Sequence, residues 1–239
     1  MVVTRSVKTQ ALVAGTLRYG EADRILTLYT RERGRVAAIA KGARRPRSKL
    51  GGRLEPFSLV HVVLYPGRTL YTITGVETIR TFQGVRDELF RMEEGGRLLE
   101  VVRRQFPEEE ENAAAFNLLV RGIAGLAAAP DRAAAGRVVL ATRVKLLLAL
   151  GYFPELDACV SCGGDEHLCG FDPSLGGVLC TDCFHADAHE CFMLSPAGLA
   201  GLRALLEQPL DQAAAVSLDE PAAAEVGRAL SQVLSYHGH

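Results

Sequence analysis

The chain has 239 residues, 48% of them hydrophobic, 6% aromatic and 23% charged, with 27 Lys plus Arg against 28 Asp plus Glu and six Cys. That composition excludes a wholly disordered chain, and no stretch approaches the ~18 consecutive apolar residues of a membrane-spanning helix. The near-zero net charge conceals an asymmetry, since residues 1–80 carry 15 basic and 5 acidic residues, a net of +10, while residues 81–239 carry 12 and 23, a net of −11.

An imbalance of that size points to a polyanionic partner for the basic part and a different partner, or none, for the acidic part. The N-terminal apolar run from Ala11 to Leu17 is short and closed by Arg18, which fits neither a signal peptide nor a membrane anchor. Four of the six Cys fall in two Cys-x-x-Cys pairs, so a cytoplasmic protein with reduced or metal-bound thiols is expected.

In residues 9–80, short alternating runs rich in Val, Ile, Leu, Thr and Tyr are separated by Gly, Pro and charged clusters, the pattern of strands and hairpins. Strands are predicted near Gln10–Arg18, Arg24–Tyr29, Arg35–Lys41, Glu55–Tyr65 and Thr69–Arg80, with Arg31–Gly34 turning the second into the third. Five strands in about 70 residues suit a small closed barrel, and the five-stranded barrel that binds nucleic acid is the OB-fold; an SH3-like barrel or an open meander would use the same strands.

Residues 31–53 hold Arg31, Arg33, Arg35, Lys41, Arg44, Arg45, Arg47, Lys49 and Arg53 against Glu32, a net of +8 in 23 residues. Such a run can be a solvated face, edge-strand protection, or a localisation or heparin patch. Here the excess sits on one hairpin and loop of the expected barrel, where Gly42, Pro46, Gly51 and Gly52 let the backbone conform to a partner. Guanidinium both forks onto phosphate and stacks on exposed bases, so nucleic acid is the best fit. Tyr19, Tyr29, Phe57, Tyr65 and Tyr71 are candidate stacking platforms, although most are expected to pack the barrel. Affinity should therefore rest on phosphates and fall steeply with salt.

From Asp87 the apolar period lengthens to three and four residues, through Leu89, Met92, Leu98, Leu99 and Val102 and then Phe116, Leu119, Val120, Ile123 and Leu126, which predicts helices. Pro107 with Glu108–Glu111 separates the first helix from the second, Pro130 and Asp131 the second from the third, and Gly151 stands where a helix-ending Gly belongs. The third helix is apolar on most faces, which suits burial inside a bundle. Two more helices are opened by Ser195-Pro196 and by Asp219 ahead of Pro221. The expected organisation is α+β and multidomain: an N-terminal five-stranded OB-fold barrel over residues 1–82, an all-α helical domain over 83–155 and 194–239, and an inserted four-cysteine, zinc-ribbon-like zinc-binding segment over 156–193.

Cys159-x2-Cys162, 17 residues, then Cys180-x2-Cys183 is the spacing of a tetrahedral zinc site. Four thiolates leave no open position for water or substrate, so one structural Zn2+ is expected rather than a catalytic one. Two redox pairs, or a ligand set drawn from Cys169, His185, His189 and Cys191, are the alternatives. Between Lys145 and Arg203 there is no Lys or Arg, while Glu155, Asp157, Asp165, Glu166, Asp172, Asp182, Asp187 and Glu190 crowd in, so this segment should dock protein rather than phosphate.

The chain has no Gly-x4-Gly-Lys-Ser/Thr loop, no Gly-x-Gly-x-x-Gly after a strand, no Gly-x-Ser-x-Gly and no His-Glu-x-x-His. No catalytic residue is assigned, and the expectation is a protein that is not an enzyme.

Tyr19-Gly20-Glu21-Ala22-Asp23-Arg24-Ile25, Ala40-Lys41-Gly42-Ala43-Arg44-Arg45-Pro46-Arg47-Ser48, Gly52-Arg53-Leu54-Glu55-Pro56-Phe57, and Leu150-Gly151-Tyr152-Phe153-Pro154 leading to Cys159-Val160-Ser161-Cys162-Gly163 occur in that order along the chain. In this the chain resembles the bacterial RecO recombination mediator family, from about residue 9 to the last helix. The resemblance implies a DNA repair and recombination role: binding single- and double-stranded DNA, annealing complementary strands, engaging the single-stranded-DNA-binding protein and, with RecR, helping to load RecA. Some members of that family lack the four cysteines, which implies a scaffold role for zinc.

For DNA the resemblance carries over Lys41, Arg44, Arg45, Arg47 and Arg53, and charge alone adds Arg33, Arg35 and Lys49. For the acidic tail of the single-stranded-DNA-binding protein, Arg121, Arg132, Arg137, Arg143 and Lys145 form a basic island facing only Asp131 between residues 112 and 145. The competing reading is a zinc-ribbon protein-interaction or regulatory module whose basic face binds RNA or an acidic protein tail. A hydrolase with an unrecognised metal site is a third.

Overall fold

A computed structural model describes residues 6–152, 154–185 and 191–237. The chain divides into two compact units, Met1–Ala128 and Ala129–His239.

In the first unit, β1 (Val7–Tyr19), β2 (Asp23–Thr30), β3 (Gly34–Ala40), β4 (Ser58–Tyr65) and β5 (Tyr71–Thr81) close into a barrel of order β1-β2-β3-β5-β4. Closure comes from β1, which pairs antiparallel with both β2 and β4. A short parallel join of β3 to β5 through Ala38↔Tyr71 and Ile39↔Thr72 completes the OB-fold arrangement. All five predicted strands are present. The fourth begins at Ser58 rather than near Glu55, because Phe57 takes a φ of 66° and donates its N–H to Val13 O at 3.1 Å, holding the chain in a turn.

Strand alternation explains the core. Ala11, Val13, Leu26, Leu28, Val36, Ala38, Val60, Val62, Leu64 and Ile73 point inward and form one buried cluster. The long segment between β3 and β4 closes one end of the barrel by adding Ala43 and Leu54 to that cluster, with a 3-10 turn at Gly51–Arg53.

Three helices share the unit: α1 (Gln83–Arg86), α2 (Leu89–Gln105) and α3 (Ala113–Ala128). On the barrel's outer face Tyr29 is fully buried and sets its ring edge-on to Phe106 at 5.3 Å. Leu98, Leu99 and Val102 are buried as the helical period requires, whereas Leu89 and Met92, at the start of α2, are exposed. Gly95 is the residue of α2 that meets Phe57; a Cβ there would lie 2.7 Å from its ring.

The second unit is built on α4 (Arg132–Ala149), whose Asp131 cap accepts from Ala134 N–H at 2.8 Å. Gly151 ends it at a φ of 88°, with Tyr152 N–H returning to Leu147 O at 3.0 Å. Eleven residues of α4 are buried, as its all-round apolar sequence implies, against α5 (Pro196–Glu207), a 3-10 segment at Leu210–Ala215 and α6 (Glu220–His237). Ser195 and Asp219 cap α5 and α6 as read from the sequence, accepting from Gly198 and Ala222 N–H. Between α4 and α5 lies a small sheet of order β7-β6-β8, formed by β6 (Leu168–Asp172), β7 (Gly177–Cys180) and β8 (Phe192–Met193).

Candidate nucleic-acid interface and metal centre

The basic loop is tied to the β1–β2 hairpin. Asp23 Oδ1 accepts the Gly42 N–H at 2.7 Å, Ala22 O accepts the Arg44 N–H at 2.8 Å, and Gly20 O accepts from Arg44 Nη1 at 3.3 Å. Arg24 Nη1 reaches Glu55 Oε1 at 2.8 Å and Gly51 O at 3.4 Å, holding the far end of the same loop. Within the loop, Arg45 N–H donates to Gly42 O, Ser48 N–H to Arg45 O and Leu50 N–H to Ser48 Oγ. The backbone is thereby ordered while Lys41, Arg44, Arg45, Arg47, Lys49 and Arg53 all stand exposed.

Two sequence candidates are placed differently. Arg35 donates from Nε to Phe106 O at 2.9 Å and lies 3.2 Å from Glu108 Oε1, so its charge is committed to the segment after α2. Arg33 is half-buried, beside Tyr71 and Glu109. The sequence marked the cations but not the groups that hold them: Asp23, Arg24 and Glu55 were visible only as members of ordered motifs.

Among the five aromatic candidates, Tyr29 and Phe57 are buried in packing and Tyr71 is half-buried, while Tyr19 and Tyr65 are exposed.

The five cations expected to form a tail site divide between the two units and differ in exposure. Arg121 is exposed on α3 of the first unit and Arg132 is exposed at the start of α4 in the second. Arg137 donates twice to Ala214 O, at 2.9 and 2.7 Å, Arg143 is buried with Nη2 3.0 Å from Ser231 Oγ, and Lys145 Nζ donates to Leu206 O at 2.6 Å. These three cations tie α4 to its neighbours, two through backbone carbonyls and Arg143 through a hydroxyl, because polar ends on a helix buried on most sides need partners.

The four sequence-predicted thiols do converge. Cys159, Cys162, Cys180 and Cys183 place all their Sγ atoms within 4.8 Å of one another, with Cys162 and Cys180 at 3.7 Å. A tetrahedral thiolate site with metal–sulfur bonds of about 2.3 Å needs sulfurs about 3.8 Å apart, so the donor set fits a metal ion. Two tight turns aim the thiols: Gly163, at a φ of 79°, donates to Cys159 O at 2.8 Å, and Phe184 N–H donates to Cys180 O at 2.9 Å.

The thiols also perturb one another. Burial raises the Cys159 thiol, but hydrogen bonds from the backbone N–H groups of Cys180, Cys162 and Ser161 outweigh it and bring the thiol down to about 6. The Ser161 hydroxyl lowers the Cys183 thiol, yet its contacts with Cys180 and Cys162 push it up to about 12. A cluster that favours one thiolate and resists another is what a cation would relieve.

The remaining candidates lie apart. Cys191 donates to Asp172 Oδ2 at 3.3 Å, and among the described residues neither Cys169, Cys191 nor His185 joins the four-thiol group. Asp172 is buried, accepting from Ser174 Oγ and the Ser174 and Leu175 N–H groups, so it is a turn residue and no part of an acidic surface. Asp157, Asp165, Glu166 and Asp182 are exposed; Asp187, His189 and Glu190, like Phe153, fall outside the described residues.

With this geometry in view, the family model described as recombination protein O N terminal matches residues 3–82, and the one described as recombination protein O C terminal matches residues 86–238. The chain belongs to the RecO family. A protein named DNA repair protein RecO from Rubrobacter xylanophilus is 41% identical over 209 residues, 87% of this chain and 83% of the relative. Proteins of the same name from Anaeromyxobacter sp. (strain Fw109-5) and Nocardioides sp. (strain ATCC BAA-499 / JS614) are 36% and 40% identical, covering 98% and 89% of this chain and 92% and 88% of their own lengths. RecO membership supports a role in DNA repair and agrees with the barrel, the helices and the cysteine cluster. No helix among the described residues is long and apolar enough to cross a membrane.

Proposed function

We propose that this RecO-family chain is a non-enzymatic mediator of DNA repair and homologous recombination in the bacterial cytoplasm, associated with the nucleoid when bound to DNA. It binds single- and double-stranded DNA through the barrel of residues 1–82, anneals complementary strands and, with RecR, helps to load RecA onto DNA coated by single-stranded-DNA-binding protein. The observation that carries this reading is the exposed cationic loop from Lys41 to Arg53, held in shape by Asp23, Arg24 and Glu55. Phosphates of two strands brought to such a loop lose much of the repulsion that opposes pairing. Helical residues 83–155 and 194–239 and the cysteine segment 156–193 serve protein contacts. The four thiols hold one structural Zn2+, which shapes the β6–β7 hairpin, and the exposed acids around it suit protein docking. Of the island proposed for the acidic tail of the single-stranded-DNA-binding protein, Arg121 and Arg132 are the exposed members.

The test is equilibrium binding of labelled single-stranded DNA across a salt series, comparing the native chain with an Arg44→Glu, Arg45→Glu, Arg47→Glu variant. A log-log slope of about −0.7 per phosphate contacted, reduced in the variant, is expected. An unchanged slope moves the DNA elsewhere, and no binding by the native chain favours a zinc-ribbon protein-interaction module.

A further inference from the structure

Within the first unit, the turn that opens β3 is covered by an acidic segment. Just after α2, Glu108 bridges in parallel to Arg35, and Glu109 N–H donates to Arg35 O at 2.9 Å. Arg35 Nη1 lies 3.2 Å from Glu108 Oε1, and a Cβ on Gly34 would collide with Glu110 O. Burial, and then the charge of Glu109, raise the Tyr71 phenol while Arg33 lowers it, so Glu109 and Arg33 bring opposite charges to one hydroxyl.

Packing alone does not call for four acids here. Glu109 and Glu110 meet the turn through backbone groups, which any residue supplies, yet Glu108, Glu109, Glu110 and Glu111 are all exposed. Their consequence is electrostatic. Arg31, Arg33 and Arg35 against Glu32 give residues 31–35 a net of +2, and the four acids bring that end of the barrel to −2. The loop from Lys41 to Arg53 keeps six cations and no acid. Between the two lies β3, whose seven residues set Lys41 about 20 Å from the turn, about twice the screening length at 0.1 M salt. The acids therefore act on the turn and spare the loop, so a stretch that reads in sequence as one basic run is divided in two.

We propose that Glu108–Glu111 form a charge barrier that keeps phosphate off the β2–β3 turn and confines the nucleic-acid backbone to the Lys41–Arg53 end of the barrel. This rests on the DNA-binding reading above and adds to it what limits the footprint. Arg31, exposed, and Arg33, half-buried, are the cations withheld; Arg35 is committed in any case to Phe106 O. The barrier acts on phosphate charge, so it is indifferent to sequence.

The experiment titrates the full chain with labelled oligothymidine across a salt series. Its main variant is Glu109→Gln, Glu110→Gln, Glu111→Gln, which leaves the Glu108–Arg35 pair and the backbone contacts in place. A control removes three equally exposed acids toward the opposite end of α2, a helix about 25 Å long, as Asp87→Asn, Glu88→Gln, Glu93→Gln. Recruitment of one or two cations should steepen the log-log slope by about 0.7 to 1.4 and tighten binding about 5- to 25-fold at 0.1 M salt. The control should change the slope by less than about 0.3. Adding Arg31→Gln and Arg33→Gln should cost the neutralised chain at least about fivefold more affinity than it costs the native chain, the coupling expected of a barrier that acts on those two side chains. An unchanged slope in the main variant, an equal gain in the control, or a gain that survives loss of Arg31 and Arg33 overturns the proposal. The DNA-binding reading fails separately, through an absence of binding or an unchanged slope in the loop charge-reversal variant.

Discussion

Arg24 and Glu55 meet at 2.8 Å, joining the start of β2 to the last residues of the basic loop. The pair is partly exposed, so its direct contribution to stability is small, about 0.2–1 kcal/mol. Its larger consequence is order, since it fixes the end of a glycine-containing segment whose other end is fixed by Asp23. Glu55→Gln should leave global stability within about 1 kcal/mol while accelerating amide exchange across residues 42–54. DNA affinity should fall without loss of salt slope, since no contacting cation is removed. Unaltered exchange in the loop would show that the pair does not order it.

Gly34 and Gly20 both take positive φ, at 56° and 52°, but in different surroundings. A Cβ on Gly34 would sit 1.9 Å from Glu110 O, whereas nothing lies within 4 Å of one on Gly20. Gly20→Ala is expected to cost about 1–2 kcal/mol, the strain of the left-handed conformation alone. Gly34→Ala adds a backbone collision and should cost about 3 kcal/mol or more by denaturant unfolding. Equal losses in the two variants would show that the β3 turn relaxes away from Glu110.

The strands, helix breaks and caps were legible because each rests on local chemistry: alternation for the barrel, Asp131, Ser195 and Asp219 for the caps, Gly151 for a helix end. The thiol cluster was legible for the same reason, two Cys-x-x-Cys turns being local devices. What the sequence hid was the use of charge. Arg35 and Arg137 look alike in sequence to the exposed Arg45 and Arg47, yet they are half-buried and committed to Phe106 O and Ala214 O, 71 and 77 residues away. Such contacts depend on tertiary neighbours, which no local pattern encodes.

The cysteine cluster predicts a separable metal requirement. One zinc per chain is expected by atomic emission, with none retained by Cys162→Ser and full content in Cys169→Ala. Without metal the segment from Glu155 to Cys183 loses the cross-link between its two turns and should become protease-sensitive. The barrel carries its own core, so the salt slope for DNA should persist. Full protease resistance of the metal-free chain would show that the β6–β7 hairpin and the turns packed on it suffice without the ion.

Tyr29 supplies a prediction at alkaline pH. Its side chain is fully buried against Phe106 and Phe116, and its hydroxyl has no hydrogen-bond partner among the described residues. Burial, and then the charge of Glu110, raise its phenol far above the ordinary value near 10. Because the folded value is the higher one, the neutral phenol contributes stability that is complete below pH 10 and is lost as the pH rises from there toward the folded value. Tyr29→Phe removes the titrating group and an unsatisfied buried hydroxyl while keeping the ring. The variant should match or exceed the native chain at neutral pH, by up to about 1–2 kcal/mol, and its stability should fall less steeply above pH 10. Denaturant titrations of both proteins at neutral pH and above pH 10 make the comparison. A loss of more than about 1 kcal/mol at neutral pH would mean that the hydroxyl is satisfied in solution, with a bridging water as the candidate partner.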